Sequence, residues 1–183
     1  RLILTLDGSD IQQIVALDPA TGRVAWKTPR SGELRPAPDQ NKAYGTPLVA
    51  TLGGRDVLLA PSADWIYAYD PAPGRELWRV NYGVLGYSVV PRPVVAHGLA
   101  FISTCFNTPE ILAVRLGDGQ AAPEIAWREK KGAPSKPSLI VVGDELFAVS
   151  DKGVATCLDA RTGAPRWTER LGGNLDRKST RLN

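Results

Sequence analysis

A chain of 183 residues with 43% hydrophobic and 22% charged residues has the composition of a folded globular protein, and no stretch reaches the roughly 18 apolar residues of a membrane helix. Its formal charge of +3 would suit an anionic partner, but the last eight residues, Asp176-Arg-Lys-Ser-Thr-Arg-Leu-Asn183, read as the in-frame translation of a common sequencing-library adapter. Without them 19 basic residues stand against 18 acidic ones, a net charge of +1, and neither nucleic acid nor an anionic membrane surface is expected as a partner. The chain has no methionine and begins inside an alternating strand pattern, so a start upstream of Arg1 is expected.

In chain order, short apolar runs alternate with turn residues, the pattern of strands about five residues long. The first group is 1–5, 11–17 and 24–27. The second is 46–51, 56–60, 65–69 and 75–79, with Gly53-Gly54 turning its first pair. The third is 93–96, 99–104, 110–114 and 125–128, with His97-Gly98 in the same place. The fourth is 138–142, 145–150, 153–158 and 165–169, with Gly143-Asp144. No helical period fills the connections, which disfavours a doubly wound fold. Four antiparallel strands recurring every 40 to 50 residues describe a propeller blade. The expected fold is all-β, a partial β-propeller over 1–175 with blades near 1–30, 44–80, 90–130 and 136–171, and 176–183 as a non-native tail. The first blade lacks its opening strand.

The third and fourth strands of each group carry one repeated phrase. Ala16-x-Asp18-x-x-Thr21-Gly22-x-x-x-Trp26 returns as Ala68-x-Asp70-x-x-Pro73-Gly74-x-x-x-Trp78 and as Cys157-x-Asp159-x-x-Thr162-Gly163-x-x-x-Trp167. An eroded copy runs from Ala113 through Gly119 to Trp127, with Arg115 in the aspartate position. Asp and Thr can cap the amides of a tight turn, and Gly can take a left-handed backbone. A large ring on an outer strand meeting the small residue of a neighbouring blade would seal the gap between twisted sheets. Each indole would then bury roughly 200 Å², of order 5 kcal/mol of gross apolar stabilisation.

The phrase resembles the tryptophan-docking motif of the pyrroloquinoline-quinone-like β-propeller repeat family, and it covers nearly all of residues 1 to 175. The resemblance implies a ring of seven or eight blades, of which this chain carries about four. It also implies a periplasmic or secreted protein, attached to a membrane only through an anchor outside this sequence. The family includes quinoprotein dehydrogenases and a lipoprotein scaffold that assists outer-membrane β-barrel assembly. Stretches 87–104 and 149–159 look most like uncharacterised secreted bacterial members. A dehydrogenase would imply bound pyrroloquinoline quinone, calcium, an adjacent-cysteine disulfide and an aspartate base. Cys105 and Cys157 lie far apart, their pairing is left open, and Asp18, Asp70 and Asp159 are explained as turn caps.

No catalytic, cofactor or metal residue is therefore assigned, and no cofactor is expected outside the dehydrogenase alternative. His97 is the single histidine and sits in a hairpin turn. Gly117-Asp-Gly119 and Gly172-Gly173 do not join a strand to a helix, so neither reads as a phosphate loop. The basic cluster Arg128, Lys130, Lys131 and Lys136 reads as a solvated loop. A binding or scaffold role asks for less. Loops joining blades and loops between second and third strands should share one face, carrying Tyr44, Asp64, Trp65, Tyr87, Arg92, Asn107, Lys136 and Asp151. Tyr, Trp and Arg are favoured anchors for a protein, peptide or glycan. Trp65 is the leading candidate among them.

Overall fold

The computed structural model describes residues 1–104, 106–117 and 122–171. Among the described residues, fifteen strands form four antiparallel sheets. Blade 1 is three-stranded: β1 Leu2–Asp7, β2 Gln12–Leu17 and β3 Val24–Pro29. Blade 2 is β4 Leu48–Leu52, β5 Arg55–Pro61, β6 Trp65–Tyr69 and β7 Glu76–Asn81. Blade 3 is β8 Val94–Ala96, β9 Leu99–Ser103, β10 Ile111–Arg115 and β11 Glu124–Glu129. Blade 4 is β12 Ile140–Val142, β13 Glu145–Val149, β14 Val154–Asp159 and β15 Pro165–Arg170. Each expected run coincides with a strand to within a few residues, because the period-2 pattern and the glycine turns mark strand ends directly. No described helix is long and apolar enough to cross a membrane.

Three apolar clusters fill the three seams between blades. Ile14 of blade 1 packs with Leu58, Ala60, Tyr67 and Tyr69 of blade 2. Leu59, Ile66 and Ala68 of blade 2 pack with Ala100, Ile102, Leu112 and Val114 of blade 3. Leu99, Phe101, Ile111 and Ala113 of blade 3 then meet Leu146, Leu158 and Ala160 of blade 4. Successive side chains of a strand point to opposite faces, so β9 sends Leu99 and Phe101 one way and Ala100 and Ile102 the other, and is buried throughout. The end blades differ. Leu2, Leu4 and Leu6 on β1 are exposed, as is every residue of β15, with Trp167 at 47%.

The repeated phrase folds as a capped turn. Asp18 Oδ1 accepts the amides of Ala20 and Thr21 at 2.9 Å and the Thr21 hydroxyl at 3.1 Å, while Thr21 Oγ1 accepts the Arg23 amide. Asp159 repeats this with Arg161, Thr162 and Ala164. Gly22, Gly74 and Gly163 hold φ of 68°, 77° and 75°. With Pro73 in the threonine position, Asp70 keeps the amide of Ala72 and the Gly74 turn bond. Gly119 lies outside the described residues; Arg115 cannot cap, and the Leu116 amide donates instead to Gly98 O.

The seam itself corrects one expectation. Ala16, Ala68, Ala113 and Cys157 do not receive a ring from a neighbouring blade; each is the cross-strand partner of its own tryptophan, at Ala16↔Trp26, Ala68↔Trp78, Ala113↔Trp127 and Cys157↔Trp167. A β-bulge follows the small residue in all four blades. The ring reaches the next blade at its glycine turn. Trp26 Nε1 donates to Pro71 O at 3.2 Å, and Thr28 Oγ1 donates to Gly74 O at 2.7 Å. Trp127 Nε1 donates to Ala160 O at 3.2 Å. The surface each ring needs is bare backbone: a Cβ on Gly74 would lie 2.4 Å from the Trp26 ring, and one on Gly163 2.7 Å from Trp127. Cys157 is a buried free thiol, and Cys105 lies outside the described residues, as do 172–183 with their Gly-Gly pair and adapter-like tail.

Gly74→Ala and Gly163→Ala add a ring clash to a left-handed backbone and should cost about 2–4 kcal/mol each. Gly22→Ala, with nothing within 4 Å, should cost only about 1 kcal/mol. Urea unfolding monitored by tryptophan fluorescence measures the difference. The Asp159 carboxyl is held down to about 2, first by the Arg166 hydrogen bond and then by Thr162. Because its folded value lies below the ordinary 3.8, its contribution to stability is full above that pH and is lost as pH falls towards 2. A carboxyl-carbon NMR titration should place its midpoint near 2, and Arg166→Ala should move it upward.

Candidate functional site

The loops between the second and third strands of each blade do meet the blade connectors on one face. Ala43 bridges Asp7 and Val89, and the Tyr44 amide donates to Val89 O at 2.7 Å. The Tyr82 amide donates to Asp64 O at 2.9 Å, and that of Thr108 to Leu85 O at 3.0 Å. The glycine turns and the 53–54, 97–98 and 143–144 hairpins lie at the opposite strand ends. There His97 and Gly98 adopt φ of 54° and 72°, as a tight turn requires, and His97 Nε2 lies 3.0 Å from Gly143 O and 3.1 Å from Asp144.

The long connector 30–47 is fastened to blade 2 by polar groups. At its root Arg30 and Asp7 form a buried bidentate pair at 2.8 and 3.0 Å, with side chains 1% and 0% exposed. Ser62 Oγ donates to Asp7 at 3.2 Å, Arg30 Nη1 donates to Tyr69 Oη at 3.1 Å, and the guanidinium lies over the Tyr67 and Tyr69 rings. Burial pushes the Tyr67 hydroxyl up to about 12 and raises that of Tyr69, so both stay protonated near neutrality. The Gly32 amide donates to Tyr67 Oη at 3.1 Å, and a Cβ on Gly32 would lie 2.7 Å from the Trp65 ring. Further along, Arg35 clamps Asp64 with both nitrogens, at 2.5 Å through Nε, and Asn41 closes the loop onto the Arg35 backbone at 2.8 and 3.0 Å.

The eight face residues fall into three groups. Asp64 and Trp65 serve the connector. Asp64 is buried under Arg35 at φ 62°, and the Trp65 indole donates to Glu33 O at 3.2 Å with Arg79 over its ring. Lys136 and Asp151 pair at 3.7 Å, and Asp151 also accepts the Ser135 amide. Tyr44, Tyr87, Arg92 and Asn107 remain on the solvent side. Tyr44 is 58% exposed and borders a groove of about 450 Å³ with Ile11 and Ala43. Half-buried Tyr87 packs tilted against Phe106, and the Arg92 amide donates to Ser138 Oγ.

Sequence reasoning missed the exposed apolar residues around them. Ile11, Leu34, Val84 and Phe106 all stand out from loops of this one face. Loop hydrophobics without periodicity give no sequence signal, and only the fold shows that they converge. The basic cluster is largely paired: Arg128 and Lys130 both reach the buried Glu110, at 3.4 and 3.3 Å.

Most carboxylates of the described blades are engaged within the fold. Asp18, Asp159 and Asp70 are spent in turns, and Asp7, Asp64, Glu110 and Asp151 in ion pairs. Among the described residues no three His, Cys, Asp or Glu side chains converge as a metal site, and Cys157 faces Trp167 inside blade 4.

These features define an arc of tryptophan-docked propeller blades with a loop face that holds apolar and aromatic groups in solvent. A family model described as outer membrane protein assembly factor BamB matches residues 10–174, and the chain belongs to that family. It is 26% identical over 178 residues to outer membrane protein assembly factor BamB of Yersinia pestis, covering 92% of this chain and 42% of that protein. The fold matches the crystal structure of BamB from Moraxella catarrhalis with a TM-score of 0.61 at 18% identity, over 88% of this chain and 47% of that one. It also matches quinohemoprotein alcohol dehydrogenase from Comamonas testosteroni, with a TM-score of 0.59 at 18% identity, over 89% of this chain and 32% of that one. The chain thus spans less than half the length of the curated relative.

Removing one member of the buried pair strands the other without water. Asp7→Ala should cost about 3–5 kcal/mol, and the double variant Asp7→Leu/Arg30→Met should cost less than Asp7→Ala alone. Paired urea melts test both.

Proposed function

We propose that this chain is part of a non-catalytic scaffold in the bacterial cell envelope, working on the periplasmic side in outer-membrane protein assembly and docking a protein partner on its loop face. Membership of the assembly-factor family supports the process. The observation that carries the docking face is the outward display of Val84, at 76% exposure, and Phe106, at 64%, beside Tyr44 and Tyr87 on loops tied to one another by hydrogen bonds. A solvated loop gains nothing from such groups, whereas aromatic and branched side chains set in a polar rim make good interface anchors. No cofactor is part of this reading, and the quinoprotein-like fold alone does not supply one.

A photo-crosslinking residue at Val84 of the full-length protein in cells should capture a subunit of the outer-membrane assembly apparatus. The same residue at Arg55, exposed at the opposite strand ends, should not. Equal capture from both positions would overturn the loop-face reading. Dye-linked alcohol or sugar oxidation by purified protein with added quinone and calcium would overturn the non-catalytic one.

A further inference from the structure

We infer that the Tyr87–Phe106 pair is the anchor of the loop face, and that the partner segment it takes is an acidic peptide carrying aromatic or branched apolar side chains. The inference rests on the loop-face reading and adds the chemistry of the partner.

Phe106 has a φ of 78°, a left-handed conformation that a bulky residue seldom adopts, and its ring stays in solvent. The Tyr87 ring lies 5.2 Å away, tilted by 43°. Both loops are braced beneath the pair: the Thr108 amide donates to Leu85 O, and the amide of Ser88, itself at φ 60°, donates to Lys42 O at 2.6 Å. The left-handed backbones at Ser88 and Phe106 cost stability, and while Tyr87 is half-buried the Phe106 ring they bring to it stays in solvent, the pattern of a preorganised contact.

Charge selects the partner. The face near blades 3 and 4 carries Arg92, Lys130, Lys131, Lys136 and Lys152. Of the carboxylates there, Glu110 is 2% exposed beneath Arg128 and Lys130, Asp151 pairs with Lys136, and Glu129 accepts the Lys131 amide at 2.7 Å, so cations outnumber the carboxylates. Among the described residues, the cations of Arg92, Lys131 and Lys152 meet no carboxylate. An aromatic ridge and a basic shelf on loops of one face complement apolar side chains interleaved with Asp or Glu. The ridge would supply affinity, and the shelf would supply steering and salt dependence.

The test is fluorescence anisotropy of the full chain with a labelled 12-residue peptide in which Glu alternates with Phe and Leu. Controls replace Glu by Lys, or Phe and Leu by Ala, and anionic phosphatidylglycerol vesicles are run in parallel. The acidic apolar peptide should bind best. Phe106→Ala should weaken it about tenfold, and Phe106→Tyr should restore most of the loss. Lys131→Glu should weaken it about threefold and flatten its salt dependence. Equal binding of the Lys peptide, preference for the vesicles, or an affinity unchanged by both Phe106→Ala and Tyr87→Ala would overturn the inference. If the peptide fails while Val84 still crosslinks to the assembly apparatus, only the acidic-aromatic assignment falls. If both fail, the loop-face reading falls with it.

Discussion

An indole resting on the bare backbone of the next blade's turn is the contact on which the arc depends. Twisted sheets packed side by side diverge towards their outer strands, and a wide ring is the side chain that can fill the widening gap. The ring needs three things from its neighbour: a carbonyl for its N–H, a flat approach, and no Cβ. One aspartate-capped turn provides all three, Pro71 or Ala160 giving the carbonyl and the glycine at positive φ the flat approach without a Cβ. The small cross-strand partner and the bulge behind it then let the tryptophan strand lean outward. Each element of the phrase thus serves a contact made between blades, although most of its residues bond only within their own hairpin.

This division explains what could be read in the sequence. Strand positions followed from period-2 alternation and glycine pairs, and the turn from Asp-x-x-Thr-Gly. The partner of the ring did not, because spacing within one blade says nothing about which residue of the next blade it meets. Alanine was the natural guess, being small and repeated, yet its register places it opposite its own tryptophan. The glycine, assigned to turn geometry alone, turned out to serve the seam as well.

The loop face was legible only in outline. Blade topology dictates that connectors and second-to-third-strand loops share an end, so the site's position could be foreseen, as could the presence there of Tyr87 and Tyr44. Which side chains face water depends on contacts that do not repeat. Arg30 follows β3 as Tyr82 follows β7, yet one buries a charge against Asp7 and the other a phenol against Ser62. Trp65 looked like the natural anchor by residue type but seats the 30–47 connector, whereas Phe106, at φ 78°, stands in solvent.

The bare seam contacts and the polar-fastened connectors lie at opposite ends of the same strands. Apart from the Arg30 root, which lies over Tyr67 and Tyr69 of the first seam, the exposed connector positions therefore sit away from the indole and its glycine, and the seam glycines sit away from the displayed aromatics. Selection can act on the two ends separately. Such a ring can keep its blades under strict constraint while its loop surface drifts to follow a changing partner, which suits an architecture found at low sequence identity in both assembly factors and dehydrogenases.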